Sequence, residues 1–156
     1  MRDAGTTAMT CLRLEKGYRA WGHDLTPETT PLEAGLGFAA KIDLDTPFIG
    51  QEALRRQREV GQRKRLVIFT VVEKEALAIG GEPILWNGAF VGQVSSAAFG
   101  HTVGRTVAIG LVQAGEKSVD DMVSAGGFEV EIASRRFAAT ASFRPVYDPD
   151  GEKLHS

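Results

Sequence analysis

The feature that most constrains this chain is a change of period near residue 65. Before it, apolar residues recur at helical spacing between glycine and proline breaks. After it, short β-branched and aromatic runs are separated by turn signals. The turn marker is Asn87-Gly88, which joins runs at 82–86 and 89–95. Both residues accept the positive φ that a two-residue hairpin demands. Further strands are predicted at 66–72 and 106–112, then at 128–132 and 136–143 around Ala133-Ser134-Arg135. The expectation is an α+β fold: two or three short N-terminal helices, then a roughly six-stranded antiparallel β-barrel or sandwich. Residues 145–156 read as a tail over the surface.

Upstream, residues 4–16 carry a weak helical period. Ala8, Cys11, Leu12 and Glu15 fall on one face, and Gly17 is a natural stop. No capping residue precedes this helix, so the chain is expected to begin inside a larger element. Residues 17–29 read as a loop carrying Tyr18, Arg19 and Trp21. Thr30-Pro31-Leu32-Glu33 has the form of a capping box with proline at the first helical position. Residues 36–42 are expected to run extended and 43–47 to turn. Residues 49–60 form the clearest predicted helix, with Ile49, Ala53, Leu54 and Val60 as a narrow apolar face and Gly61 closing it.

Composition removes several classes of function. A net charge of -2 argues against a general nucleic-acid or anionic-membrane binder. No apolar run is long enough to span a membrane, and the first twenty or so residues lack a secretory core. Cys11 is the single cysteine, which excludes an internal disulfide and fits a reducing compartment, here expected to be the cytoplasm. His23, His101 and His155 are too far apart for a metal-ligand spacing.

The chemistry-bearing candidates cluster early. Glu15 lies on the apolar stripe, where an unpartnered carboxylate is costly. Either it pairs internally with Arg13, Arg19 or a distant lysine, or it faces a polar cavity. There it would accept parallel hydrogen bonds from a planar heterocycle edge. Tyr18 and Trp21 are suited to stacking on a flat ring, or to filling space between helix and barrel. Arg63, Lys64 and Arg65 are suited to an anionic tail, or to a solvated strand edge. His101, Ser95 and Ser96 read as loop and strand-end polar groups.

Arg13-Leu14-Glu15-Lys16-Gly17-Tyr18-Arg19-Ala20-Trp21-Gly22-His23-Asp24 is followed by Thr30-Pro31-Leu32-Glu33, Phe48-Ile49-Gly50-Gln51-Glu52-Ala53-Leu54, Phe99-Gly100-His101-Thr102-Val103-Gly104-Arg105 and Pro145-Val146-Tyr147. In this order the motifs resemble the C-terminal part of sarcosine and dimethylglycine dehydrogenases. That part is similar to the glycine cleavage T-protein, an aminomethyltransferase. The resemblance implies the end of a folate-binding domain at 1–62 and a C-terminal barrel at 63–156. It implies tetrahydrofolate as ligand, with Glu15 at the pterin edge and Trp21 and Tyr18 packing nearby. It also implies a basic contact at the start of the barrel. Lys64 stands at the aligned position, so that contact is carried over to the flanking Arg65 or Arg63. The family's FAD domain and its catalytic aspartate belong to upstream segments that this sequence does not show. The chain alone is therefore expected to catalyse neither amine oxidation nor carbon transfer, and to self-associate through residues 4–16. The alternative is a stand-alone ligand-binding or protein-interaction module with the same barrel and no catalysis.

Overall fold

The computed structural model describes residues 4–154. The first three residues of the 1–62 segment, His155 and the end of the tail lie outside the described residues.

Helix α1 (Thr6–Glu15) starts at Gly5 without a side-chain cap, as the sequence suggested. It ends in a Schellman motif: Tyr18 N–H donates to Arg13 O at 2.8 Å and Gly17 N–H to Leu14 O at 2.9 Å, with Gly17 at φ +65. Its buried face is Cys11, Leu14 and Glu15. The expected positions of Ala8 and Leu12 on that face are corrected, since Ala8 is exposed and Leu12 is 64% exposed. Glu15 docks on the barrel, and that contact turns Leu14 inward and Leu12 outward.

The capping box at Thr30 forms. Glu33 N–H donates to Thr30 Oγ1 at 3.2 Å and Thr30 N–H to Glu33 Oε2 at 3.0 Å. It closes one turn only, because Gly35 takes a left-handed φ of +69. Residues 36–42 are not extended as expected. Gly37–Ala40 makes a single helical turn, α2, ended by left-handed Lys41. A segment this short carries no period that separates helix from strand. Helix α3 (Gln51–Val60) is present, with Gly61 at its end. Its predicted apolar face is uncovered: Ile49 lies before the helix, and it and Val60 are exposed. The helix is held through polar bonds instead. Gln51 Nε2 donates to Ile42 O at 3.0 Å and Leu44 O at 2.9 Å, and Arg58 pairs with Asp43 at 2.7 Å.

Six strands follow: β1 (Lys64–Val71), β2 (Pro83–Trp86), β3 (Ala89–Gly100), β4 (Arg105–Gln113), β5 (Phe128–Ile132) and β6 (Arg135–Ser142). They close into a barrel in the order β1-β4-β3-β2-β5-β6, and every paired neighbour is antiparallel. Asn87 and Gly88 form the β2–β3 turn at φ 49 and 80, both left-handed as a two-residue hairpin requires. Inside the barrel, Val67, Phe69, Ile84, Val94, Val112 and Val130 pack together, and the rings of Phe69 and Phe128 meet edge to face at 5.4 Å. Helix α4 (Val119–Ala125), absent from the sequence expectation, adds Val119 and Met122 to this core. Its signal is only the cap Ser118, whose Oγ accepts from Asp121 N–H at 3.1 Å.

Strands β1 and β4 are buried on both faces. Leu66, Ile68, Val107 and Ile109 turn outward from the barrel and pack with Leu14 and Ala34 in a second apolar cluster. This cluster joins the N-terminal segment to the barrel wall and brings the end of α1 beside the β3–β4 hairpin.

Candidate functional site

Glu15 closes α1 against the tip of that hairpin. Its Oε1 accepts from Thr102 N–H at 2.7 Å and Val103 N–H at 2.9 Å. A carboxylate on two backbone amides is a charge-assisted arrangement, which explains how Glu15 stays 2% exposed on an apolar face. The partner is main chain and not Arg13, Arg19 or a lysine. Oε2 takes no hydrogen bond from a described residue. Beside it opens a cavity of about 320 Å³ lined by Thr7, Cys11, His101 and Thr102. The carboxylate therefore has one oxygen committed to the fold, and Glu15 is itself among the residues lining this cavity.

Tyr18 and Trp21 stand nearby but face other spaces. Tyr18, 55% exposed, borders a cavity of about 430 Å³ with Met9, Leu12 and Lys16. Trp21, 72% exposed, stands at the mouth of an apolar cavity of about 340 Å³ with Leu25, Pro31, Ala34 and Leu36. The loop that carries them is anchored by Asp24, which pairs with Arg13 at 2.6 Å. Arg19 donates to Gly17 O at 2.9 Å, and its burial lowers its pKa while Asp24 pulls it back up.

The structure does not bring the arginines to this group. Arg65 pairs with Val112 at the far end of β4, whereas Thr102 and Val103 precede its first residue, Arg105. Seven strand residues separate the two levels, roughly 23 Å. The Arg65 guanidinium stacks 3.7 Å from the Phe143 ring centre and pairs with Asp120 on α4. Arg63 is exposed, and its carbonyl accepts from Ala114 N–H at 2.7 Å. Among the described residues no grouping of three His, Cys, Asp or Glu could hold a metal ion.

Two contributors have no counterpart in the sequence expectation. The Thr102 and Val103 amides carry no residue-type signal, and Asp24 was given no role of its own. The one available hint was that both segments fall inside the resemblance motifs.

The closed six-stranded barrel thus carries the end of α1, with its carboxylate, on the β3–β4 tip. The profile of the glycine cleavage T-protein C-terminal barrel domain matches residues 64–148, and that of the T-protein N-terminal domain matches residues 1–44. The chain belongs to the glycine cleavage T-protein family. It is 41% identical over 154 residues to mitochondrial sarcosine dehydrogenase of Mus musculus, covering 97% of this chain and 17% of that protein. It is 39% identical over 153 residues to an aminomethyltransferase of Rubrobacter xylanophilus, covering 95% of this chain and 39% of that one. The crystal structure of glycine cleavage system aminomethyltransferase T from Bartonella henselae matches with a TM-score of 0.74 at 25% identity. That match covers 91% of this chain and 38% of that structure. The chain thus spans only a minor part of these larger relatives. Among the described residues no helix is long and apolar enough to cross a membrane.

Proposed function

We propose that this chain is the tetrahydrofolate-binding C-terminal portion of a sarcosine/dimethylglycine dehydrogenase-like enzyme. Such an enzyme oxidatively demethylates N-methyl glycines and passes the one-carbon unit to tetrahydrofolate. Residues 1–62 would form the end of the folate-binding domain and residues 63–156 the barrel. The carrying observation is Glu15, a buried carboxylate with Oε1 pinned by two amides, in a residue that lines a cavity. A pterin edge presents N–H donors that suit such an oxygen. Trp21 supplies an exposed ring face beside an apolar cavity.

This chain's residues bind and orient in this reading. Glu15 would hold the heterocycle, and Tyr18 and Trp21 would pack against other parts of the ligand from the separate cavities they border. Arg65 is engaged by Asp120 and Phe143, and it and Arg63 stand at the end of the barrel away from Glu15, so neither is assigned to the ligand in this reading. Flavin chemistry is assigned to no residue here, and the isolated chain is expected to be inactive. With its single cysteine free and buried, a reducing site such as the cytoplasm suits it.

Calorimetric titration with tetrahydrofolate tests the reading. Saturable binding, weakened by Glu15→Gln and by Trp21→Ala, is the expected result. Binding indifferent to Glu15→Gln removes Glu15 from the site. No binding at all favours a module that keeps the barrel without the ligand.

A further inference from the structure

The loop that carries Tyr18 and Trp21 has little regular structure, yet one buried side chain ties it to two other elements. The Asp24 side chain has 0% exposure. Oδ2 accepts from Arg13 Nη1 on α1 at 2.6 Å and from Ala20 N–H within the loop at 2.8 Å. Oδ1 accepts from Ser95 Oγ on β3 at 2.5 Å. A buried carboxylate is costly unless donors surround it, and here they come from helix, loop and barrel together.

The barrel supplies its donor by an irregularity. The β3–β4 pairing shifts register between Val94 and Ser96, which leaves Ser95 as the extra residue of a bulge. Its neighbours Val94 and Ser96 are buried at 2% and 6%, while Ser95 is aimed at the loop. Re-aiming a side chain is what a bulge does. Trp21 belongs to the turn that Asp24 closes: Gly22 N–H donates to Leu25 O at 2.8 Å, Asp24 N–H to Ala20 O at 2.9 Å, and Trp21 bridges Leu25.

We propose that Asp24 is the positioning residue of the ligand loop: with Ser95 and Arg13 it sets Trp21 at the mouth of its cavity. The identity of the ligand rests on the folate reading above, and the positional claim does not. Asp24 is sealed from solvent and acts only through the loop. Helix α1 has separate anchors in Leu14, fully buried, and in the Glu15 bonds to the hairpin. Loss of Asp24 should therefore free the loop and leave helix and barrel in place.

The test uses the chain labelled with 5-fluorotryptophan. Its two tryptophans give two fluorine resonances, and Trp86, on the barrel, serves as internal control. In Asp24→Ala and Ser95→Ala the Trp21 resonance is expected to narrow and move toward its random-coil position, with Trp86 unchanged. Ser95→Thr, which keeps the hydroxyl, restores it. Tetrahydrofolate affinity is expected to fall roughly tenfold in both alanine variants, the scale of one lost hydrogen bond. An unmoved Trp21 resonance overturns the proposal; a freed Trp21 with unchanged affinity supports the positional claim and removes Trp21 from the folate site. If the parent chain does not bind tetrahydrofolate, the folate reading falls by itself and the fluorine signal alone decides the positioning claim. Should Asp24→Ala not fold, Ser95→Ala, which removes a single hydroxyl, decides in its place.

Discussion

Gly100 on β3 leaves the space that Glu15 on α1 occupies. A Cβ built on Gly100 would lie 2.9 Å from Glu15 Oε1 and 3.1 Å from Glu15 Cγ, with Val107 Cγ2 at 3.0 Å on the other side. The carboxylate reaches the hairpin amides because strand residue 100 has no side chain. Gly100→Ala is expected to push Glu15 off those amides and cost about 1–3 kcal/mol of stability. Urea denaturation of the two proteins measures it, and an unchanged midpoint would show that the contact is slack.

Glu15 itself should respond to the kind of atom left behind. Glu15→Ala leaves the Thr102 and Val103 amides without their acceptor, at an expected cost of about 2–4 kcal/mol. Glu15→Gln keeps an oxygen at Oε1 and should cost less than half as much. Amide hydrogen exchange at residues 102 and 103 reads this directly. Equal exchange in both variants would contradict the assigned bonds.

Tyr147 N–H donates to Glu15 O at 3.1 Å, and Lys16 Nζ pairs with Asp148 Oδ2 at 3.0 Å, so the C-terminal segment straps the end of α1. The Lys16 hydrogen bond is the main cause holding the Asp148 pKa below the ordinary aspartate value of 3.8. A carboxylate with a lowered folded-state pKa adds stability that is fully present above 3.8 and is lost as pH falls through the lowered value. Acid should therefore loosen the strap only below that ordinary value. Lys16→Met should raise the Asp148 pKa and flatten this part of the stability profile. Carboxyl carbon shifts across an acid titration follow it, and an Asp148 midpoint indifferent to Lys16→Met would refute the assignment.

Barrel closure depends on Gly92 in the same physical way. A Cβ there would stand 2.1 Å from Leu111 O, a main-chain atom of the paired strand. Backbone yields less readily than a side-chain tip, so Gly92→Ala is expected to cost about 3 kcal/mol or more. Circular dichroism and thermal melting check this. A variant that melts with the parent would mean that the strands separate there without cost.

How much of this was legible in the residues varies by element. The strands were readable because β-branched runs and an Asn-Gly turn act locally; that β1 and β4 are buried on both faces fits their near-continuous apolar sequence and was found in the structure. Strand β3 ran past its expected end at 95 to Gly100, because the bulge at Ser95 realigns it and pairing continues. Helices α2 and α4 escaped notice because four and seven residues are too few to display a period. The apolar positions of α3 were read correctly as residue types, but what covers them is a tertiary matter.

The ordered motifs of the sequence carried the family resemblance, and residue type and local spacing marked the barrel's strands and put Glu15 on an apolar helix face. Tertiary structure decided what Glu15 does. Its partners are 87 and 88 residues away and are backbone amides, which every residue but proline carries and no composition reveals. It also decided that Arg65 lies at the opposite end of the barrel from that carboxylate, because the order β1-β4-β3-β2-β5-β6 and its register arise from long-range pairing.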